Sequence, residues 1–269
     1  MDFEPILDSL SARVPHSDSE YIGDDGLTHC SVCHKKTQTI ISFMGREKTV
    51  RCVCECKKNE MEADRKRREA DNRRDICFGV AEMRKWTFEN DDRANAKLSD
   101  AMMRYTEQFD DFLKIGKGLI LYGTVGTGKS YYAACIANRL IDKGYRVKMT
   151  NFASLTNQIQ DSLKGKQQII DDLSVYQLLI IDDLGAERKS EYMQEMVFNI
   201  IDSRYRSGLP FIVTTNLTGD ELKKPQDVSF ARIYDRILER CFPIEITGKS
   251  RRRKELIETH ADIKSALGL

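Results

Sequence analysis

Two short stretches of this chain have the residue types and spacing to do phosphate chemistry. GTVGTGKS, residues 123–130, satisfies G-x-x-x-x-G-K-[ST] in full: Gly123, then Thr124, Val125, Gly126 and Thr127, then Gly128, Lys129 and Ser130. Glycines so placed let the backbone curl until successive N–H groups point at phosphate oxygens, and the helix that follows adds its unpaired N-terminal amides and positive dipole end. Lys129 is expected to reach the β- and γ-phosphates and the Ser130 hydroxyl to ligate Mg²⁺, with Tyr131 closing the ATP- or ADP-binding stretch. LLIIDDLGAE, residues 178–187, runs four apolar residues straight into Asp182 and Asp183. A phosphate loop needs a second strand, expected to be adjacent in the sheet, that brings a carboxylate to the metal. Asp182 is the expected Mg²⁺ partner. Asp183 stands one residue on, where many ATPases place a glutamate that polarises the attacking water.

A third group is built from thiols. Five of the eight cysteines fall between residues 30 and 56, beginning with Cys30-x-x-Cys33 and closing with Cys52, Cys54 and Cys56. Paired ligands separated by about 20 residues suit a small tetrahedral Cys₄ zinc site. Cys77, Cys135 and Cys241 are isolated and read as small core residues.

The elements that must position these groups alternate in type. Strands are expected at 118–123, 145–151, 175–183, 210–216 and 242–246, and helices at 131–144, 152–163 and 191–208. Alternating strands and helices imply right-handed crossovers and a parallel sheet covered on both faces. Before them, residues 36–50 alternate enough to make a hairpin. Residues 57–75 carry eight basic and six acidic side chains with almost nothing apolar, the composition of a solvated helix or linker. Three domains follow: a partner-binding zinc module at 1–56, a charged helix or linker at 57–79, and an ATPase domain at 80–269.

Bulk properties narrow the classes. The 43 basic and 42 acidic residues leave a net charge of +1, so nucleic-acid contact must come from local patches. No apolar run is long enough to span a bilayer, and the acidic N-terminus lacks the layout of a signal peptide. A cytoplasmic protein without membrane contact is expected, and its cysteines are not a disulfide framework.

Beyond the acids, TTN (214–216) ends a buried strand, and Asn216 is placed to orient water or sense the γ-phosphate. RIYDRILER (232–240) sets Arg232, Arg236 and Arg240 four residues apart, along one helical face. GKSRRRK (248–254) supplies five basic residues within its last six.

GTVGTGKS, LLIIDDLGAE, TTNL, the YDRI segment and the GKSRRR segment, in this order, resemble the AAA+ ATPases of the DnaC/DnaI-type helicase-loader family and the related IstB transposition ATPases. The resemblance covers roughly residues 80–260. It implies an AAA+ fold with a five-stranded parallel sheet between helices, a catalytic role for Asp183, and a sensor role for Asn216. It also implies an arginine finger at Arg236, with Arg232 as the substitute, and a second sensor at Arg252, where the flanking Arg251 and Arg253 blur the register. Loaders with an N-terminal zinc module start their charged helix directly after the last ligand, which selects Cys54 and Cys56 as the second zinc pair. Cys52 and His34 remain possible replacements. The implied activity is Mg²⁺-dependent ATP hydrolysis, weak alone and completed by a neighbouring subunit. The implied partners are a replicative DnaB-type helicase, single-stranded DNA and further copies of this chain. A transposition helper that assembles on DNA and a nucleotide-gated binding module with vestigial hydrolysis are the competing expectations.

Overall fold

A computed structural model describes residues 9, 11–15, 19–43, 45–161, 165–186, 190–225, 228–248, 263–264 and 267. The chain divides into two compact units, Met1–Glu69 and Ala70–Leu269. The first holds two antiparallel hairpins, β1 (Glu20–Ile22) with β2 (Thr28–Cys30) and β3 (Gln38–Phe43) with β4 (Arg46–Arg51). The second hairpin is the one that the alternation over 36–50 foretells. Thr37 ties the pairs together: its amide donates to the Thr28 carbonyl at 2.8 Å, and its carbonyl accepts from Cys52 N at 2.8 Å. Among the described residues of this unit, the buried apolar side chains are Cys30 and Cys54 alone. The described part of the unit thus buries little apolar surface to offset the entropy of ordering it.

Helix α1 (Glu55–Cys77) contains the unit boundary. Only Ala70 and Cys77 of its side chains are buried, and pairs such as Lys66–Glu62 lace its surface, as expected of a charged, solvated helix.

The second unit is a five-stranded parallel sheet. In chain order, helices α2 (Ala96–Glu107) and α3 (Phe109–Ile115) precede β5 (Gly118–Tyr122), α4 (Lys129–Asp142) and β6 (Val147–Thr150). Then come α5 (Phe152–Asp161), α6 (Lys166–Asp172), β7 (Leu178–Leu184), α7 (Glu191–Ser207), β8 (Phe211–Thr215), α8 (Gly219–Lys223), α9 (Val228–Arg240) and β9 (Cys241–Glu245). The strand order is β6-β7-β8-β5-β9. The acid-bearing strand β7 is therefore not the neighbour of β5: β8 lies between them, which corrects the expected adjacency. Right-handed crossovers that lay helices on both faces permit this order.

Both faces of the central strands are covered, which is why β5, β7 and β8 read as nearly continuous apolar runs. Leu119, Leu121, Leu178, Ile180 and Ile212 pack on one side with α2 and α4. Ile120, Leu179, Ile181, Phe211 and Val213 pack on the other with α7 and α9. Strand periodicity of two sends alternate residues to opposite layers. Cys77, Cys135 and Cys241 are buried in these layers, as expected. Burial pushes the Cys77 thiol up to about 12 and raises Cys241 as well, so neither is a poised nucleophile.

One buried cation organises the lower edge of the sheet. Arg204 on α7 donates to the carbonyls of Pro210 (2.7 Å), Tyr176 (2.8 Å) and Gln177 (3.0 Å), joining the approaches to β7 and β8. Burial lowers its pKa to about 10, which leaves it charged at neutral pH.

Candidate functional site

The phosphate loop lies between β5 and α4, as its motif requires. Gly123 has φ of 135°, and a Cβ there would lie 2.4 Å from the carbonyl oxygen of Ile246, so the loop can leave the sheet only without a side chain. Gly128 has φ of 101° and opens α4 at its N-cap. Lys129 is 5% exposed, and its ammonium donates to the carbonyls of Gly123 (2.9 Å) and Thr124 (2.8 Å). The Thr127 hydroxyl donates to the Thr124 carbonyl at 2.9 Å, bracing the same turn. These bonds hold a cation inside a ring of backbone. Ser130 follows on the first turn of the helix. Tyr131 turns to the segment before α2: its hydroxyl donates to the Thr87 carbonyl at 3.0 Å, and its ring centroid is 5.9 Å from that of Trp86.

The two acids occupy a break in the sheet. Ile181 pairs with Val213, and Leu184 pairs with Thr215, so Asp182 and Asp183 together face the single residue Thr214. This is a β-bulge, a device that re-aims side chains beside active sites. Asp183 takes φ of 56°, a left-handed conformation that aspartate tolerates better than most residues. The Thr214 hydroxyl donates to Asp182 Oδ1 at 2.6 Å and accepts from the Asp183 amide at 2.9 Å. Asp182 is half-buried and Asp183 exposed. Thr215 is in register with Tyr122 on one side and Leu184 on the other. Asn216, the next residue, is exposed at the same strand end, level with the start of the phosphate loop. The sequence reading took Asn216 from TTN and passed over Thr214. Its signal was there: two hydroxyls, Thr214 and Thr215, closing an otherwise apolar buried strand.

The arginines of α9 part company. Four residues advance a helix by more than one turn, so the stripe drifts around the axis. Arg232 is exposed. Arg236 Nη1 lies 2.7 Å from Asp202 Oδ1 on α7, in an ion pair without hydrogen-bond alignment, and its guanidinium stands over the rings of Phe198 (4.6 Å) and Tyr205 (5.7 Å). Asp202 is nearly buried and is also paired with Arg206. Sequence inspection had no means of finding Asp202, which is one acid on a long amphipathic helix. Arg251, Arg252 and Arg253, the second-sensor segment, lie outside the described residues.

In the first unit, Cys30, Cys33, Cys54 and Cys56 place their sulfurs within 4.8 Å of one another. Two of the separations are 3.5 Å (Cys30–Cys56) and 3.3 Å (Cys54–Cys56). The first pair sits in a tight turn in which His34 N donates to the Cys30 carbonyl at 2.9 Å and Val32 N points to Cys30 Sγ at 3.4 Å. The second pair opens α1, with Lys58 N donating to the Cys54 carbonyl at 2.9 Å. Four thiols this close suit a tetrahedral ion with metal–sulfur bonds of about 2.3 Å. Cys52 points its sulfur at the Lys36 carbonyl (3.4 Å), and His34 Nδ1 meets the Tyr21 hydroxyl (3.3 Å).

The family profile of IstB-like ATP-binding proteins matches residues 44–259. The chain belongs to this family. Among curated relatives, the replicative helicase loader DnaI of Bacillus subtilis is 31% identical over 53% of this chain and 51% of its own length. The replicative helicase loader DnaC of Escherichia coli is 31% identical over 45% of this chain and 50% of its own. An insertion-sequence ATP-binding protein of Sinorhizobium fredii is 29% identical over 60% and 55%. The chain spans about half the length of the curated relatives it matches.

Solved structures agree on the fold. That of DnaI superposes with a TM-score of 0.54 at 29% identity, covering 65% of this chain and 95% of the other. AMPPCP-bound DnaA of Aquifex aeolicus gives 0.51 at 22% identity, over 66% and 56%, which speaks to fold alone. The second unit of this IstB-like protein is thus an AAA+ domain, and the resemblance carried by its ordered motifs holds. The family match begins at residue 44, so Cys54 and Cys56 fall inside it while Cys30 and Cys33 precede it. Among the described residues, no helix is long and apolar enough to cross a membrane.

Proposed function

We propose that this IstB-like protein is an ATPase that loads a replicative, DnaB-type helicase onto single-stranded DNA in the cytoplasm. The observation that carries the reading is the meeting, at one end of a single sheet, of a complete phosphate loop and a bulged acid pair. The naming of the DnaI and DnaC relatives supports the biological step. In this mechanism the loop amides and the Lys129 ammonium bind the β- and γ-phosphates, Lys129 exchanging its two carbonyl acceptors for phosphate oxygens. Ser130 and Asp182 hold Mg²⁺, which supplies charge neutralisation at the phosphates when bound. Asp183 accepts a hydrogen bond from the attacking water and polarises it, and Asn216 orients that water or senses the γ-phosphate. Arg236, with Arg232 one turn before it, provides the cation that completes a neighbouring subunit's site, and Arg252 is assigned the second sensor. The four-cysteine cluster holds Zn²⁺ and shapes the unit that grips the helicase.

Arg236→Ala is expected to leave ATP affinity within about twofold of wild type while hydrolysis falls about 100-fold or more. Mixing it with Lys129→Ala decides whether the arginine acts between subunits. Each variant alone is inactive, but a mixed pair joins an intact loop to an intact arginine and regains activity. No recovery on mixing, with Arg232→Ala recovering instead, would move the finger to Arg232. A monomer that loses nucleotide binding would show that Arg236 serves only its own α7.

The function itself is tested by light scattering on mixtures with the host's replicative helicase, with and without ATP. A complex that depends on an intact cysteine cluster is the expected result. No complex in any nucleotide state, with ATP-driven assembly on duplex DNA, would overturn it in favour of the transposition role suggested by the Sinorhizobium relative.

A further inference from the structure

We propose that Thr214 is the positioning residue of the hydrolytic site, a single buried hydroxyl that fixes the orientation of both Asp182 and Asp183. This inference rests on the ATPase reading above. A regular strand would send two successive aspartates to opposite faces of the sheet. Here the bulge between Ile181 and Leu184 sets both against one residue of β8, and the left-handed turn at Asp183 has to be held in place.

The hydroxyl of Thr214 does this with both halves of its hydrogen-bonding capacity. Its proton goes to Asp182 Oδ1 at 2.6 Å, and one of its lone pairs takes the Asp183 amide at 2.9 Å. Thr214 has no exposed surface, so its hydroxyl has these two partners in place of water. The first bond fixes one oxygen of the carboxylate assigned to Mg²⁺. The second anchors the backbone from which the Asp183 side chain projects. Thr214 touches neither phosphate nor water in this scheme and acts only through the acids.

Thr215 offers an internal comparison. It is equally buried, and its hydroxyl donates to the Leu184 carbonyl at 2.7 Å and accepts from Leu217 N at 3.1 Å. Both of these bonds go to backbone groups at the strand end.

The test measures binding of a fluorescent ATP analogue across a Mg²⁺ titration, alongside steady-state hydrolysis, for Thr214→Val, Thr214→Ser and Thr215→Val. Thr214→Val keeps the shape and removes the hydroxyl. The Mg²⁺ concentration for half-maximal enhancement of binding should rise about tenfold, the loss of one charge-assisted hydrogen bond. The turnover number should fall about tenfold or more, with Mg²⁺-free nucleotide affinity unchanged within about twofold. Thr214→Ser retains the hydroxyl and should restore both. Thr215→Val should cost stability but leave the Mg²⁺ dependence as in wild type.

A wild-type Mg²⁺ profile in Thr214→Val would overturn the proposal, as would Thr214→Ser failing alongside it or Thr215→Val reproducing the shift. If the wild-type protein binds nucleotide without hydrolysing it, the ATPase reading fails, while the Mg²⁺ titration still decides the role of Thr214.

Discussion

Lys129→Ala is expected to reduce ATP affinity about 100-fold and to bring hydrolysis below detection, with the fold retained. The ammonium is nearly buried and already desolvated, held by the carbonyls of Gly123 and Thr124. It therefore loses little hydration when phosphate oxygens replace those carbonyls, and its full attraction for the triphosphate contributes to binding. Charge-assisted bonds in such a site are worth about 1.5–3 kcal/mol each. Charge spread over the γ-phosphoryl oxygens in the transition state makes the loss in rate larger than the loss in binding. Titration with a fluorescent ATP analogue and a phosphate-release assay measure the two effects, and circular dichroism checks the fold. Near-normal binding in the variant would mean that the glycine loop does not cradle the triphosphate.

The second large effect concerns the thiols. Cys54→Ser combined with Cys56→Ser should abolish bound zinc, measured by elemental analysis, and unfold the first unit. Structural zinc sites contribute about 10 kcal/mol or more to small modules. Here the described buried apolar side chains are two of the four clustered cysteines, Cys30 and Cys54. Loss of the β1–β2 and β3–β4 amide protection in hydrogen exchange reports the unfolding. ATP affinity should change by less than about twofold, because the phosphate loop belongs to the other unit. Cys52→Ser and His34→Ala each direct their side chains to the Lys36 carbonyl and the Tyr21 hydroxyl in the parent, and should keep stoichiometric zinc. Zinc lost from Cys52→Ser but retained by the Cys54 and Cys56 variants would reassign the site.

Much of this was legible in one dimension, wherever the chemistry depends on residues that are neighbours in the chain. A phosphate loop is built from consecutive backbone amides, so GTVGTGKS carried its own geometry, and the apolar run before Asp182 announced a strand buried on both faces. The closeness of Cys30 to Cys33 and the alternation in 36–50 likewise reflect short-range constraints. The charged helix was readable because a helix without an apolar stripe can only face solvent.

What stayed hidden depends on distant segments. Nothing in the order of motifs says that β8 inserts between β5 and β7, since strand order is set by how the crossover helices pack. The bulge that sets Asp182 and Asp183 against Thr214 exists only once β7 and β8 are paired and one strand is found a residue too long. Arg236 and Asp202 are separated by the whole of β8 and α8, and their meeting follows from the packing of α7 on α9. The motifs thus named the groups that can act on a triphosphate, because that capacity resides in local backbone and side-chain chemistry. Their mutual orientation came from long-range pairing, which no single stretch of the chain contains.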